Sequence, residues 1–188
     1  RLASELRYLR AHRLSDRSSV SIGSRVPLQA SMSDLTAALA LAQLERLDEI
    51  LARRKQVEAF YRDEMQSFEG IKPPYLGPDV DEVHWMLYVV HLGARFTASG
   101  RAQIVDDLEA DLIEAAPFSA LLHQQFAYQA LGEAYNCKRG CLKNTERIGD
   151  RSLALPFYGQ LGPDEVRFLV KTLKDACTNV GAGAAIYL

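Results

Sequence analysis

The chain has 188 residues, with 22 Lys+Arg against 24 Asp+Glu and a formal net charge of −2; 48% of it is hydrophobic. That is the composition of an ordinary globular domain, long enough to bury a core in one domain or one and a half. The charge balance removes the usual warrant for a nucleic-acid or anionic-membrane partner, and no apolar run reaches the roughly 18 residues that mark a membrane span.

The opening, RLASELRYLRAHR, lacks a basic, apolar, small-residue leader, so no signal peptide is expected. Leu2, Leu6 and Leu9 form one helical stripe, and the first methionine is Met32. A chain that begins inside an amphipathic pattern reads as the remainder of a longer protein; processing or an expression boundary is the alternative. Residues 16–27, rich in Ser, Arg and Gly, predict a loop.

Ser33 and Asp34 then open the strongest helical signal, as N-cap and first-turn acid. No Gly or Pro interrupts residues 33–69. Leu35, Leu39, Leu41, Leu44 and Leu47 belong to a first half that is apolar nearly all round, which predicts burial on most sides. From Arg53 the apolar face narrows to Val57, Phe60, Tyr61, Met65 and Phe68. One helix of about 35 residues would run roughly 50 Å, enough to bridge two domains, with Gly70 and Pro73-Pro74 as its stop.

The β-branched and aromatic run 83–92 predicts a strand buried on both faces. Ser99 reads as the cap of a helix carrying Ile104, Val105, Leu108 and Leu112. Short strands are expected near 113–116 and at 153–155, each ended by a proline. Gly162-Pro163-Asp164-Glu165 starts a last helix whose core face is Val166, Leu169, Val170 and Leu173. The segment 181–185 shows no core pattern and is expected to be loose or covered by a partner. No internal repeat is present. The fold class expected is α+β, a small module hung on a bridging helix.

Residues able to carry chemistry are few. His84 and His91, an odd spacing apart on one strand, would face opposite ways and cannot share a metal. His12 and His123 complete the histidines; His123 reads as a substrate contact or a packed side chain. Trp85 and Tyr88 read as core. Cys137 and Cys141 could supply half a zinc site, but no second close Cys/His pair exists. With Cys177 they make an odd count, which predicts free thiols and a reducing, cytoplasmic setting. Hydrolase, P-loop and dinucleotide motifs are absent.

Four strings go further: MSDLTAALALAQLERLD at 32–48, HWMLY at 84–88, Pro117-Phe118 followed by Leu122-His123 and Tyr128, and TERIGDRSLALPFY at 145–158. In order and spacing they resemble the C-terminal half of the DegT/DnrJ/EryC1/StrS family, sugar-nucleotide aminotransferases that use pyridoxal 5′-phosphate (PLP). The first and fourth are the specific ones. The resemblance implies the large aspartate-aminotransferase fold (fold type I), a homodimer, and a cofactor bound to a lysine upstream of this chain. None of Lys55, Lys72, Lys138, Lys143, Lys171 and Lys174 stands in such a context.

By the same resemblance, residues 1–32 would end the large cofactor domain, 33–70 would be the bridging helix, 71–176 the small domain and 177–188 a tail. Where the family often has Asn-x-Arg before the Met-Ser-Asp string, this chain has Gln29 and Ser31, the implied contacts to a cofactor phosphate of the neighbouring subunit. Ala116 stands where many members have Arg before Pro-Phe. Trp85 and His123 are the implied substrate contacts. The resemblance implies part of a transaminase that moves an amino group, from glutamate as expected donor, to a nucleotide-linked keto sugar. A non-catalytic regulatory or binding relative that keeps the dimer fold is the alternative. By itself this chain is expected to be inactive.

Overall fold

The computed structural model describes residue 3 and residues 32–118, 120–129 and 137–185. The helical stripe of Leu2, Leu6 and Leu9, His12, the loop at 16–27, Gln29 and Ser31 lie outside the described residues. The chain divides into two units, residues 1–47 and 48–188.

In the first unit, helix α1 spans Asp34–Leu44. The Ser33 hydroxyl caps it, accepting from the Thr36 amide at 3.2 Å, as its position ahead of the apolar run predicts. None of α1's residues is buried, and Leu35 is 82% exposed.

The single helix expected over 33–70 is two. Glu45 and Arg46 form a turn, in which the Arg46 amide donates to Gln43 at 3.2 Å, an i→i−3 tightening that ends the α-helical ladder. Helix α2 then spans Leu47–Glu64. It ends ahead of the Gly70 stop, because Ser67 takes a left-handed φ of 64° that no α-helix continues through.

The second unit is built on a four-stranded antiparallel sheet. Strands β1 (Ile71–Lys72), β2 (Tyr88–Leu92), β3 (Ala116–Pro117) and β4 (Ser152–Leu155) lie in the order β1-β2-β4-β3. Tyr88 pairs with Leu155 and His91 with Ser152. The strand predicted over 83–92 keeps only its last half, since β1 offers two residues and β4 four for pairing. It is not buried on both faces: Tyr88, Val90 and Leu92 are buried, while Val89 and His91 on the alternate face are half-buried.

Among the described residues, α2 is joined in this unit by α3 (Ala98–Ala110), α5 (Lys143–Arg151) and α6 (Pro163–Ala185), with a single-turn α4 at Phe126–Gln129. The cap of α3 is Thr97, not Ser99; its hydroxyl accepts from the Gly100 amide at 3.2 Å. Helix α6 starts as the sequence predicts, and Glu165 reaches back to the Gly162 amide at 2.7 Å. It runs on through the segment expected to be loose, and Cys177 is fully buried within it.

The core joins Tyr88, Val90, Leu92, Leu153 and Leu155 of the sheet to Val57 and Tyr61 of α2, Ile104 and Leu108 of α3, and Val166, Val170 and Leu173 of α6. Each fully buried aliphatic side chain here contributes about 1.5–3 kcal/mol. At its centre the Tyr61 and Tyr88 rings stack at 4.5 Å and 16°, and the Tyr61 hydroxyl donates to the Pro156 carbonyl at 2.6 Å.

Candidate functional site

The half-buried sheet face forms the floor of a cavity of about 800 Å³, where Val89 of β2 and Ser152 of β4 line it. One wall is α5, through Leu142, Thr145, Ile148 and Gly149; the other is the turn that carries Leu121 and His123. The Phe118 amide ties that second wall to β4 by donating to Ser152 at 3.2 Å. A short 3₁₀ turn, Leu122–Gln124, then aims His123 inward. Gly149 permits the approach of the two walls: a Cβ there would meet the Leu121 side chain inside van der Waals contact.

His123 is fixed by Glu146 of α5. Its Nε2 lies 3.2 Å from Glu146 Oε1, and the two side chains are 10% and 8% exposed. The Gly140 amide donates to both carboxylate oxygens at 2.8 Å, and Leu142 adds a longer amide contact at 3.4 Å. Gly140 can aim its amide this way because it holds φ of 101°, open to glycine alone at low cost. Burial alone would push the Glu146 carboxyl up; the Gly140 amide, His123 and Leu142 together hold it below the usual carboxylate range. An ionised Glu146 only accepts, so Nε2 of His123 donates to it.

Cys137 and Cys141 bracket Gly140 and are paired as a disulfide, with Cα atoms 5.9 Å apart, where free thiols were expected. The tight turn through Gly140 brings their Cα atoms within bridging range. Cys137 also lines the cavity. Among the described residues no His, Cys, Asp and Glu group could hold a metal ion.

Trp85 is not brought to His123. It lies before β2, outside the strand, against a separate cavity of about 240 Å³ lined also by Asp48, Lys55 and His84. Its ring packs 5.9 Å from that of Tyr88, and its carbonyl accepts from Arg54 at 3.0 Å. His91, on β2, lies 3.4 Å from Ser152 Oγ. That hydroxyl donates to the Ile148 carbonyl at 2.8 Å, so His91 Nδ1 is the donor to it.

No described lysine lines the larger cavity. Lys55, Lys72, Lys138, Lys143 and Lys171 are exposed, and the Lys174 amine is committed to the Glu64 carbonyl at 2.6 Å. The described residues therefore build a cavity with a held histidine on its wall and no lysine in its lining. Sequence reading missed Glu146 and Gly140. The signal available was the acid of the TERIGDRSLALPFY string, lying six residues past a glycine inside the Cys-x-x-x-Cys span.

The model of the DegT/DnrJ/EryC1/StrS aminotransferase family matches residues 1–174. The GDP-perosamine synthase of Caulobacter vibrioides is 31% identical over 143 residues, 76% of this chain and 36% of that protein. The spore coat polysaccharide biosynthesis protein SpsC of Bacillus subtilis is 27% identical over 146 residues, 77% of this chain and 36% of that protein. Among solved structures, the Spr1654 protein of Streptococcus pneumoniae in its PLP form superposes with a TM-score of 0.74 at 22% identity, covering 87% of this chain and 40% of that one. The fold is thus the α+β fold of fold type I sugar aminotransferases, and the chain spans well under half the length of these relatives.

Proposed function

The chain belongs to the DegT/DnrJ/EryC1/StrS aminotransferase family, and from that premise we propose that it is the C-terminal part of a PLP-dependent transaminase. The transaminase would move an amino group from an amino acid, glutamate, to a nucleotide-linked keto sugar. Support comes from the family match over 1–174 and from named relatives such as a GDP-perosamine synthase and a dTDP-4-amino-4,6-dideoxy-D-glucose transaminase.

The observation that carries this chain's own share is the His123–Glu146 pair at the wall of the 800 Å³ cavity. PLP, when bound, supplies the electron sink for chemistry at the amino-bearing carbon. No described lysine lines this cavity, and an upstream covalent anchor is part of the proposal, taken from the family resemblance. Gln29 and Ser31 are the proposed contacts to a cofactor phosphate, the Gln amide as donor on a longer stem than the Asn the family often has.

In the proposed enzyme, His123 binds and orients the sugar substrate. Glu146 holds the ring in one orientation, so that Nδ1 is presented at a fixed place. The apolar lining contributed by Leu142, Ile148 and Phe118 keeps water from the bound sugar. Trp85 is the second proposed substrate contact, on a different face of the unit. The proposed assembly is a homodimer, supported by the uncovered apolar side chains of α1. A cytoplasmic location is also proposed, from the family resemblance; the Cys137–Cys141 disulfide does not support it. No described helix is long and apolar enough to cross a membrane.

Steady-state kinetics of the whole protein tests the role of His123. His123→Ala should raise KM for the keto sugar about tenfold, the effect of one lost polar contact, and leave the half-reaction with glutamate unchanged. An unchanged KM for the sugar would remove His123 from the site.

A further inference from the structure

Helix α5 presents two faces. Leu142, Thr145, Ile148 and Gly149 line the cavity that holds His123. Lys143, Arg147 and Arg151, spaced i, i+4 and i+8, line a second cavity of about 470 Å³, whose opposite wall includes Thr97 and Ser99 at the start of α3. Arg139 joins these cations from the loop before α5.

The charges there do not cancel. Four cations, Arg139, Lys143, Arg147 and Arg151, meet two carboxylates, Glu146 and Asp150, which leaves a formal +2. Asp150 is paired with Arg139. Glu146 is occupied by the Gly140 amide and by His123. Arg147 gives one Nη2 contact to Asn144 at 3.1 Å, and Arg151 gives its Nε to the Phe96 carbonyl at 3.1 Å, so each guanidinium keeps donors to spare. Lys143 has no partner among the described residues.

Like charges at i, i+4 destabilise a helix; Glu146 and Asp150, at i+3 from Lys143 and Arg147, offset the Lys143–Arg147 and Arg147–Arg151 repeats only in part, since Glu146 is held by the Gly140 amide and His123 and Asp150 by Arg139. The field reaches beyond the cavity. His91, on the adjoining strand, is held below its ordinary value first by burial and then by Arg151, Lys72 and Arg147. Planar guanidiniums beside a lysine are the donor set that suits a tetrahedral oxyanion of charge −2, with two-pronged contacts from arginine and a point charge from lysine.

We propose that the cavity between α5 and the start of α3 is a binding site for a phosphate-type dianion, held by Lys143, Arg147 and Arg151. The dianion is either free phosphate or the phosphate group of an organic molecule. The inference stands on these charges and does not depend on the transaminase proposal.

The test is isothermal titration of the whole protein with inorganic phosphate, pyrophosphate and a nucleoside diphosphate, at constant ionic strength with chloride as the balancing anion. Saturable binding of at least one is expected. Lys143→Ala and Arg147→Ala should each weaken it about tenfold, and Arg147→Glu should abolish it. Lys171→Ala, removing an exposed cation of α6, should leave it unchanged. Binding of inorganic phosphate assigns the free ion; binding confined to the nucleoside diphosphate and lost in Arg147→Glu assigns an organic phosphate. Lys143 and Arg147 are exposed, so their alanine variants should fold, as circular dichroism would verify. No saturable binding of any of the three, or binding indifferent to the Lys143 and Arg147 substitutions, overturns the proposal.

Discussion

Two stacked tyrosines at the centre of the core should respond in opposite ways to loss of a single oxygen. Tyr61 and Tyr88 are both fully buried, and burial is the first cause that pushes both phenols above their ordinary value. The Tyr61 hydroxyl donates to the Pro156 carbonyl at 2.6 Å; the Tyr88 hydroxyl has no partner among the described residues. Tyr61→Phe removes a made bond and should cost about 1 kcal/mol, since half-buried Pro156 lets water reach the freed carbonyl. Tyr88→Phe removes a hydroxyl that already bears a desolvation cost of about 1–3 kcal/mol, so it should be neutral or stabilise by up to about 1 kcal/mol. Ring stacking survives both changes. The expected separation, about 1–2 kcal/mol, amounts to roughly 1 M in urea midpoint at a typical denaturant slope. Trp85 is the only tryptophan and lies 5.9 Å from Tyr88, so its fluorescence reports unfolding directly. A loss for Tyr88→Phe equal to that for Tyr61→Phe would refute the reasoning, by showing that the Tyr88 hydroxyl is bonded.

Other outcomes follow from the same packing. Glu146 has a folded-state value below its ordinary 4.5, so its contribution to stability is complete above that pH and is lost as pH falls through the lowered value. Glu146→Gln should therefore flatten the acid limb of a plot of urea midpoint against pH, and an unchanged limb would place the acid sensitivity elsewhere. His91 is likewise lowered, so its contribution is complete above about 6.5 and declines as pH falls below; His91→Gln should remove that decline. Leu173→Ala, at a fully buried position of α6, should cost about 2–5 kcal/mol in urea unfolding. For the proposed homodimer, Leu41→Glu on α1, where Leu41 is 62% exposed, should shift sedimentation of the whole protein towards monomer, with little change in the circular dichroism spectrum; unchanged sedimentation would count against that assembly.

Local signals were the legible ones. Ser33, Gly162 and Glu165 act within one helical turn, so their cap chemistry reads from neighbours in sequence. The ends of elements were not legible. Residues 83–87 have strand composition and still lie outside β2, because a strand extends only as far as its partners, and β1 and β4 are short. The turn at Glu45 and Arg46 contains neither Gly nor Pro, and Ser67 rather than Gly70 takes the left-handed conformation. His123 was legible through the family strings, but its partner was not. Glu146 becomes a site residue only when the Gly140 turn and the 3₁₀ turn at Leu122–Gln124 converge on it, across 23 residues of sequence from His123. Trp85 reads as a companion of His123 in sequence and lines a different cavity in three dimensions.

The central claim is tested most directly by amino transfer in the whole protein. It would be incubated with PLP, isotope-labelled glutamate and nucleotide-linked keto sugars, and the products analysed by mass spectrometry. The labelled nitrogen should appear on a nucleotide sugar, and borohydride reduction should fix a pyridoxyl group on a lysine upstream of Arg1, with none on the six lysines of this chain. A protein that retains no PLP and transfers no label would contradict the transaminase and favour a regulatory relative that keeps only the fold.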